Sequence, residues 1–239
     1  MAAQLNVGGL LPFTSIDFPG RLAAVVFVQG CPWRCGYCHN PHLQPRAPQA
    51  GSPRWSEVLA WAQRRAGLLD GLVFSGGEPT LDPALPAAIA QVRELGFQVG
   101  LHTAGIYPRR LGELLLLLDW VGLDVKAPLS RSTLHDRVAG AAGGAPGVRD
   151  ALQRLLASGV PFECRTTARP EDLGDADLLT LADELATAGV RHYALQPAHA
   201  GTPGAAAFSD YPAAATLAQL AQRFETFTLR DGSATASGG

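Results

Sequence analysis

The sequence predicts an α/β fold, a largely parallel sheet built from successive strand–helix units. Three observations predict it. Residues Leu22 to Gln29 (LAAVVFVQ) form a near-continuous apolar run, as suits a strand covered on both faces. Short β-rich runs then alternate with apolar stripes at helical spacing. At 239 residues and 47% hydrophobic content the chain can bury one sizeable core, and no composition shift marks a linker.

The later strands are expected at Leu72 to Ser75, Phe97 to Thr103, Trp120 to Lys126, Pro161 to Thr167 and Arg191 to Gln196. Asp82 and Pro83 read as the start of a helix whose inner face is Leu85, Ala88, Ile89 and Val92, with Gly96 ending it. A second helix carries Leu111, Leu114, Leu115 and Leu118; a third carries Val148, Leu152, Leu155 and Leu156, stopped by Gly159. Residues Asp175 to Ala188 repeat the design with Leu178, Leu181 and Leu185 inward and Gly189 after. Right-handed crossovers turn such units into an open doubly wound sheet or a partial barrel, and periodicity does not choose between them. Gly140 to Gly147 and Ala198 to Phe208 read as small-residue loops. The expectation is one domain over residues 1–232 and a disordered tail over 233–239.

A formal net charge of -2 and a pI near 6.3 give no overall electrostatic reason to bind nucleic acid or an anionic membrane. No apolar run is long enough to span a bilayer, and the first residues lack a signal-peptide pattern, so a cytoplasmic protein is expected.

Three of the four cysteines, Cys31, Cys35 and Cys38, lie at CxxxCxxC spacing directly after the first apolar strand. That crowding favours a metal site over a disulfide framework. Three thiolates are one short of a closed zinc or iron–sulfur site, and Cys164 falls inside a predicted strand, on the face opposite Glu163 and Arg165. One metal position would stay open for a ligand. A zinc knuckle completed by His39 or His42 is the alternative that spacing alone leaves standing.

The second strand ends in Ser75-Gly76-Gly77-Glu78-Pro79, where a double glycine allows close approach to the backbone. Other strand ends carry His102 and Thr103, Asp124 and Lys126, Arg165 and Thr167, and Gln196. In a barrel-like sheet these carboxyl-end positions converge. Asp124 and Lys126 share one side of their strand, as a cofactor contact or a plain ion pair. Arg165 is the better candidate to hold a ligand carboxylate. His135, His192 and His199 read as surface or packing residues.

The segments TSIDFPGRLAAVVFVQGCPWRCGYCHNPHL from Thr14, SGGEPTL, and LDWVGLDVKAP resemble the radical S-adenosylmethionine (SAM) superfamily, and within it the activating enzymes of glycyl radical proteins. The segments Asp17-Phe18-Pro19-Gly20 and Cys38-His39-Asn40-Pro41 narrow the resemblance to the group that activates anaerobic ribonucleoside-triphosphate reductase. The resemblance implies a single-domain partial (βα)6 TIM-like barrel, one 4Fe-4S cluster on Cys31, Cys35 and Cys38, and SAM on the open iron. It implies that Gly76, Gly77 and Glu78 contact the methionine amino group. Tyr37, Thr103, Asp124, Lys126, Arg165 and Gln196 are expected to complete the cofactor site. The implied reaction is reductive cleavage of SAM to a 5′-deoxyadenosyl radical that takes a hydrogen atom from a backbone glycine. The implied partners are a glycyl radical enzyme and a low-potential electron donor such as flavodoxin. Pyruvate formate-lyase activating enzymes have an Asp before the threonine of the third strand, as part of a monovalent cation site; here the residue is His102, which speaks against that site. A radical SAM enzyme acting on a small molecule, as in the similarly short 7-carboxy-7-deazaguanine synthase, and a non-catalytic zinc module are the competing readings.

Overall fold

The computed structural model describes residues 4–47, 49–198 and 211–230. The tail expected beyond residue 232, His199 and nearly all of the expected 198–208 connection lie outside the described residues.

The chain opens on β1 (Val7–Thr14), which pairs antiparallel with β2 (Ala23–Val28). There follow α1 (Trp55–Gln63), β3 (Gly71–Gly76), α2 (Leu85–Glu94), β4 (Gln98–Thr103), α3 (Pro108–Leu114) and β5 (Trp120–Asp124). Two helices come next, α4 (Ser132–Ala139) and α5 (Gly144–Ser158), then β6 (Phe162–Ala168), α6 (Asp175–Ala188), β7 (His192–Pro197), α7 (Ala214–Ala221) and β8 (Thr226–Leu229). The strands form one sheet in the order β1 to β8, every neighbour pair after the first being parallel. The two end strands are unpaired with each other, so this is an open partial barrel.

The expected strands are β2 to β7; β1 and β8 are additions. β1 escapes a pattern search because Gly8, Gly9 and Pro12 read as turn residues. β8 has only four residues, too few to show alternation. Asp82 does not cap α2, whose N-cap is Ala84. Instead Asp82 closes a 3-10 turn (Pro79–Leu81), its carboxylate accepting the Ala84 N–H at 2.8 Å. The expected loop at Gly140 to Gly147 is corrected as well: its second half, from Gly144, is wound into the first turn of α5. The small residues there answer a packing demand described below. Leu111, Leu114, Leu115, Leu118, Leu178, Leu181 and Leu185 are buried as expected, whereas Leu156 is half-buried.

Period-two alternation divides the sheet into two faces. One lies beneath the helices and carries Val26, Phe74, Leu101, Leu123, Cys164 and Leu195 into the main core. The other, inside the partial barrel, carries a smaller cluster of Phe18, Ala23, Val25, Val73 and Trp120. Phe18, from the β1–β2 connection, stacks on Trp120 at 6.0 Å between ring centres. The Asp17 carbonyl beside it meets His102 Nε2 at 2.9 Å. No helix among the described residues is long and apolar enough to cross a membrane.

Candidate active site

The stretch from Gly30 to Asn40, which holds the three clustered cysteines, has no helix or strand of its own. Hydrogen bonds to its neighbours fix it instead. Gly30 N–H donates to Leu43 O at 2.7 Å and Cys31 N–H to Gln44 O at 3.0 Å. Gln29 Nε2 reaches the carbonyls of His42 and Pro45 at 3.0 and 2.6 Å. All four cysteines are free thiols, the three of the loop half-exposed and Cys164 fully buried in the main core, as expected.

Among the described residues no three His, Cys, Asp or Glu side chains close on a point that would hold a metal ion. The three thiols share this one loop at the carboxyl end of β2. Burial pushes the Cys31 thiol up to about 11 and raises Cys35. Ligand thiols close as they lose protons to a bound metal.

The β3 turn is stitched directly to this loop. Gly77 N–H donates to Val28 O at 2.9 Å and Glu78 N–H to Gly30 O at 2.8 Å. A Cβ on Gly77 would stand 2.3 Å from Gly30 O, and one on Gly76, where φ is +121°, 2.4 Å from Val28 N. The double glycine therefore admits the cysteine loop's own backbone, a reason that the sequence expectation of ligand approach did not contain. Glu78 is anchored within the protein. Its buried carboxylate accepts from the Thr80 amide (3.1 Å) and hydroxyl, the Thr103 hydroxyl (2.7 Å) and the Ala104 amide (2.8 Å). Burial raises its pKa while those four donors pull the other way. That carboxylate is thus saturated within the protein, as are the Gly77 and Glu78 amides. Thr103 is spent in the same knot, accepting from Gly105 N–H at 3.0 Å.

A charged chain of contacts runs along the strand ends. Asp124 takes Lys126 Nζ at 3.0 Å on one oxygen, and Arg165 Nε and Nη2 at 3.0 and 2.8 Å on the other. Burial alone would raise the Asp124 pKa; the two cations overcome it and hold the carboxyl well below its usual range. Burial opposes charge on Lys126 too, but Asp124, Tyr37 and Cys35 keep it firmly protonated. Lys126 Nζ lies 5.6 Å from the centre of the Tyr37 ring, and Arg169 Cζ 5.7 Å from that same ring. The Tyr37 hydroxyl is buried without a hydrogen-bond partner among the described residues, and that burial pushes its pKa up.

The structure thus joins Cys31, Cys35, Cys38, Tyr37, Gly76, Gly77, Glu78, Thr103, Asp124, Lys126 and Arg165 through contacts at the carboxyl ends of β2 to β6. Gln196 stands farther along, half-buried at the end of β7 opposite Thr167. The guanidinium of Arg165 is already forked onto Asp124, so it acts as half of a pair and not as a free cation. Arg169, just after β6, was missed in the sequence; its fit against Gly36, where a Cβ would lie 2.7 Å from Nη2, leaves no linear signal. Two grooves of about 580 and 620 Å³ lie on the helical layer, near Arg109 and Arg149 respectively, and neither takes in any expected site residue.

The radical SAM superfamily profile matches residues 25–182, about two thirds of the chain and all of the strand ends just described except the last. The chain belongs to the radical SAM superfamily. Radical SAM proteins use a 4Fe-4S cluster and SAM, and this chain is an enzyme of that type. The residues present fit those groups: three free thiols on an irregular loop, beside a turn so close that a single Cβ would fill the gap. A protein of Methanocaldococcus jannaschii described as a glycyl-radical enzyme activating enzyme is 28% identical over 186 residues, covering 74% of this chain and 73% of that one. The pyruvate formate-lyase-activating enzyme of Clostridium pasteurianum is 36% identical over 120 residues, 46% of this chain and 48% of its own length, so the match spans about half of that relative. The crystal structure of a radical SAM methyltransferase from Sphaerobacter thermophilus shares the fold at a TM-score of 0.65 and 17% identity, over 91% of this chain and 68% of that one.

Proposed function

We propose that this radical SAM enzyme is a glycyl radical activase whose partner is an anaerobic ribonucleoside-triphosphate reductase. Cys31, Cys35 and Cys38 hold the 4Fe-4S cluster. SAM lies against the Gly76–Gly77–Glu78 main chain, with Tyr37, Thr103, Asp124, Lys126, Arg165 and Gln196 around it. One observation carries the cofactor reading: the turn at Gly77 and Glu78 is hydrogen-bonded to the backbone that enters the cysteine loop, so one rigid unit presents both thiols and turn. The activase reading draws support from relatives described as activating enzymes and from the Asp17-Phe18-Pro19-Gly20 segment, whose Phe18 packs inside the barrel.

When bound, the cluster supplies a low-potential electron and SAM the group that abstracts hydrogen. The chain's own work is placement. The Lys126–Asp124–Arg165 chain, with a net positive charge and its members already fixed by one another, would hold the SAM carboxylate without reorganising. Asp124 stays ionised and Lys126 protonated throughout, because each holds the other in that state. A low-potential donor of the flavodoxin type delivers the electron.

The test is anaerobic reconstitution, reduction and addition of SAM with the partner reductase. Formation of 5′-deoxyadenosine together with an EPR doublet on the partner is the expected result. SAM cleavage that proceeds with a pterin substrate and leaves the partner unlabelled would instead establish small-molecule chemistry. Zinc without iron in oxygen-free material would overturn the cofactor reading itself. Cys31→Ala, Cys35→Ala and Cys38→Ala are each expected to lose the cluster absorbance, and Cys164→Ala to keep it.

A further inference from the structure

We propose that the α4–α5 turn is a second support for the cysteine loop, and that His135 is a positioning residue acting on it through Trp33. This rests on the assignment of Cys31, Cys35 and Cys38 as cluster ligands. A loop without internal secondary structure takes its shape from what touches it. On one side the contacts are those with Leu43, Gln44 and the Gly77 turn. On the other, Arg169 and Lys126 meet Gly36 and Tyr37, and α4 and α5 meet the stretch from Trp33 to Cys35. Arg34 N–H donates to Ala139 O at 2.9 Å, and Cys35 Sγ lies 3.6 Å from that same oxygen. At Gly140, where φ is +63°, a Cβ would stand 2.3 Å from Arg34 O.

Trp33, between the first two cysteines, is buried, and its ring meets His135 edge-on at 5.5 Å and 77°. A Cβ on Gly144 would stand 2.8 Å from Trp33 Cζ2 and 3.1 Å from His135 Cε1. Trp33, His135 and Gly144 therefore form one close-packed contact, and only glycine fits at the third place. His135 is 0% exposed, and neither ring nitrogen has a hydrogen-bond partner among the described residues. An imidazole buried this way forfeits its polar bonds. What it supplies is a flat wall of the right thickness for Trp33, and shape is its contribution. The same demand accounts for Gly140 and Gly144 in a stretch that composition alone reads as a loose loop.

The test compares His135→Ala, His135→Phe and Gly144→Ala with the unaltered protein, all reconstituted anaerobically. Two quantities are read: the rate of iron loss to a chelator and the EPR line shape of the reduced cluster. His135→Ala and Gly144→Ala are expected to lose iron roughly tenfold faster, the low end for residues that orient metal ligands, with a broadened signal. His135→Phe, which keeps the wall and drops the nitrogens, is expected to match the unaltered protein. Gly144→Ala disturbs the same contact by adding a Cβ against Trp33 and leaves the His135 ring in place; it decides the matter if His135→Ala fails to fold. Unaltered iron retention and line shape in Gly144→Ala and His135→Ala would overturn the proposal. Loss in His135→Phe would overturn it too, by giving the nitrogens a part that packing does not have. If the unaltered protein binds no iron, or Cys35→Ala keeps its cluster, the ligand assignment fails instead.

Discussion

The two faces of the sheet are built to different rules, and adjacent residues of one strand show it. Leu123 points beneath the helices into the main core, while Asp124 next to it holds Lys126 and Arg165 inside the barrel. The helix-covered face is mostly apolar from β2 to β7, with Thr103 and Thr166 as buried polar members. The inner face changes along the sheet, from Ala23, Val25 and Val73 at β2 and β3 to Asp124, Glu163 and Arg165 at β5 and β6. Glu163 is itself paired with Arg230 at 2.7 Å. One face thus carries the stability of the fold, and the other spends some of it to fix charges where a ligand would meet them.

That contrast can be broken by experiment. Leu123→Ala is expected to show the largest effect on stability, a loss of about 2–5 kcal/mol in denaturant unfolding, with SAM affinity per folded molecule unchanged. Asp124→Asn is expected to cost less stability, about 1–3 kcal/mol for the weakened bonds to two cations, yet to lose SAM binding in calorimetry. If the two variants swap those profiles, the division of labour between the faces is wrong.

The smallest effect concerns His102, whose ring packs on Trp120 at 5.5 Å and bonds to Asp17 O. Burial, followed by the charge of Arg165, pushes its pKa well below the ordinary value, against the pull of that bond. The unfolded chain takes up a proton at this histidine as pH falls below about 6.5, and the native state does not. Stability is therefore full above that pH and declines below it, by up to about 1.4 kcal/mol per pH unit for one such group. Melting curves between about pH 7 and about pH 5 should show a shallower decline in His102→Gln than in the unaltered chain. Equal slopes would mean that His102 titrates alike in both states.

The legible part of the fold was the part governed by local periodicity. The six inner strands, the α6 span and the leucine stripes follow from apolar spacing, which reports burial on one face directly. β8 was hidden by its shortness, and β1 and the start of α5 because their residues answer distant partners: a Cβ on Gly8 would stand 2.3 Å from the Leu43 side chain, and one on Gly144 2.8 Å from Trp33. The same distinction runs through the site. Cysteine spacing and the double glycine are short-range signals and stood out, and so did the strand-end charges. The placement of Arg169 on Tyr37, the saturation of Glu78 and the wall behind Trp33 depend on contacts between residues far apart in the chain. Nothing in the linear order announces them.

Because strand order in the sheet follows chain order, each strand of this protein pairs with the one made just before it. The cysteine loop is the exception. Its cysteines are made early, but the Ala139 carbonyl beside Cys35 arrives 104 residues later. A cluster held by that loop would find only one side of its seat until that stretch has been translated.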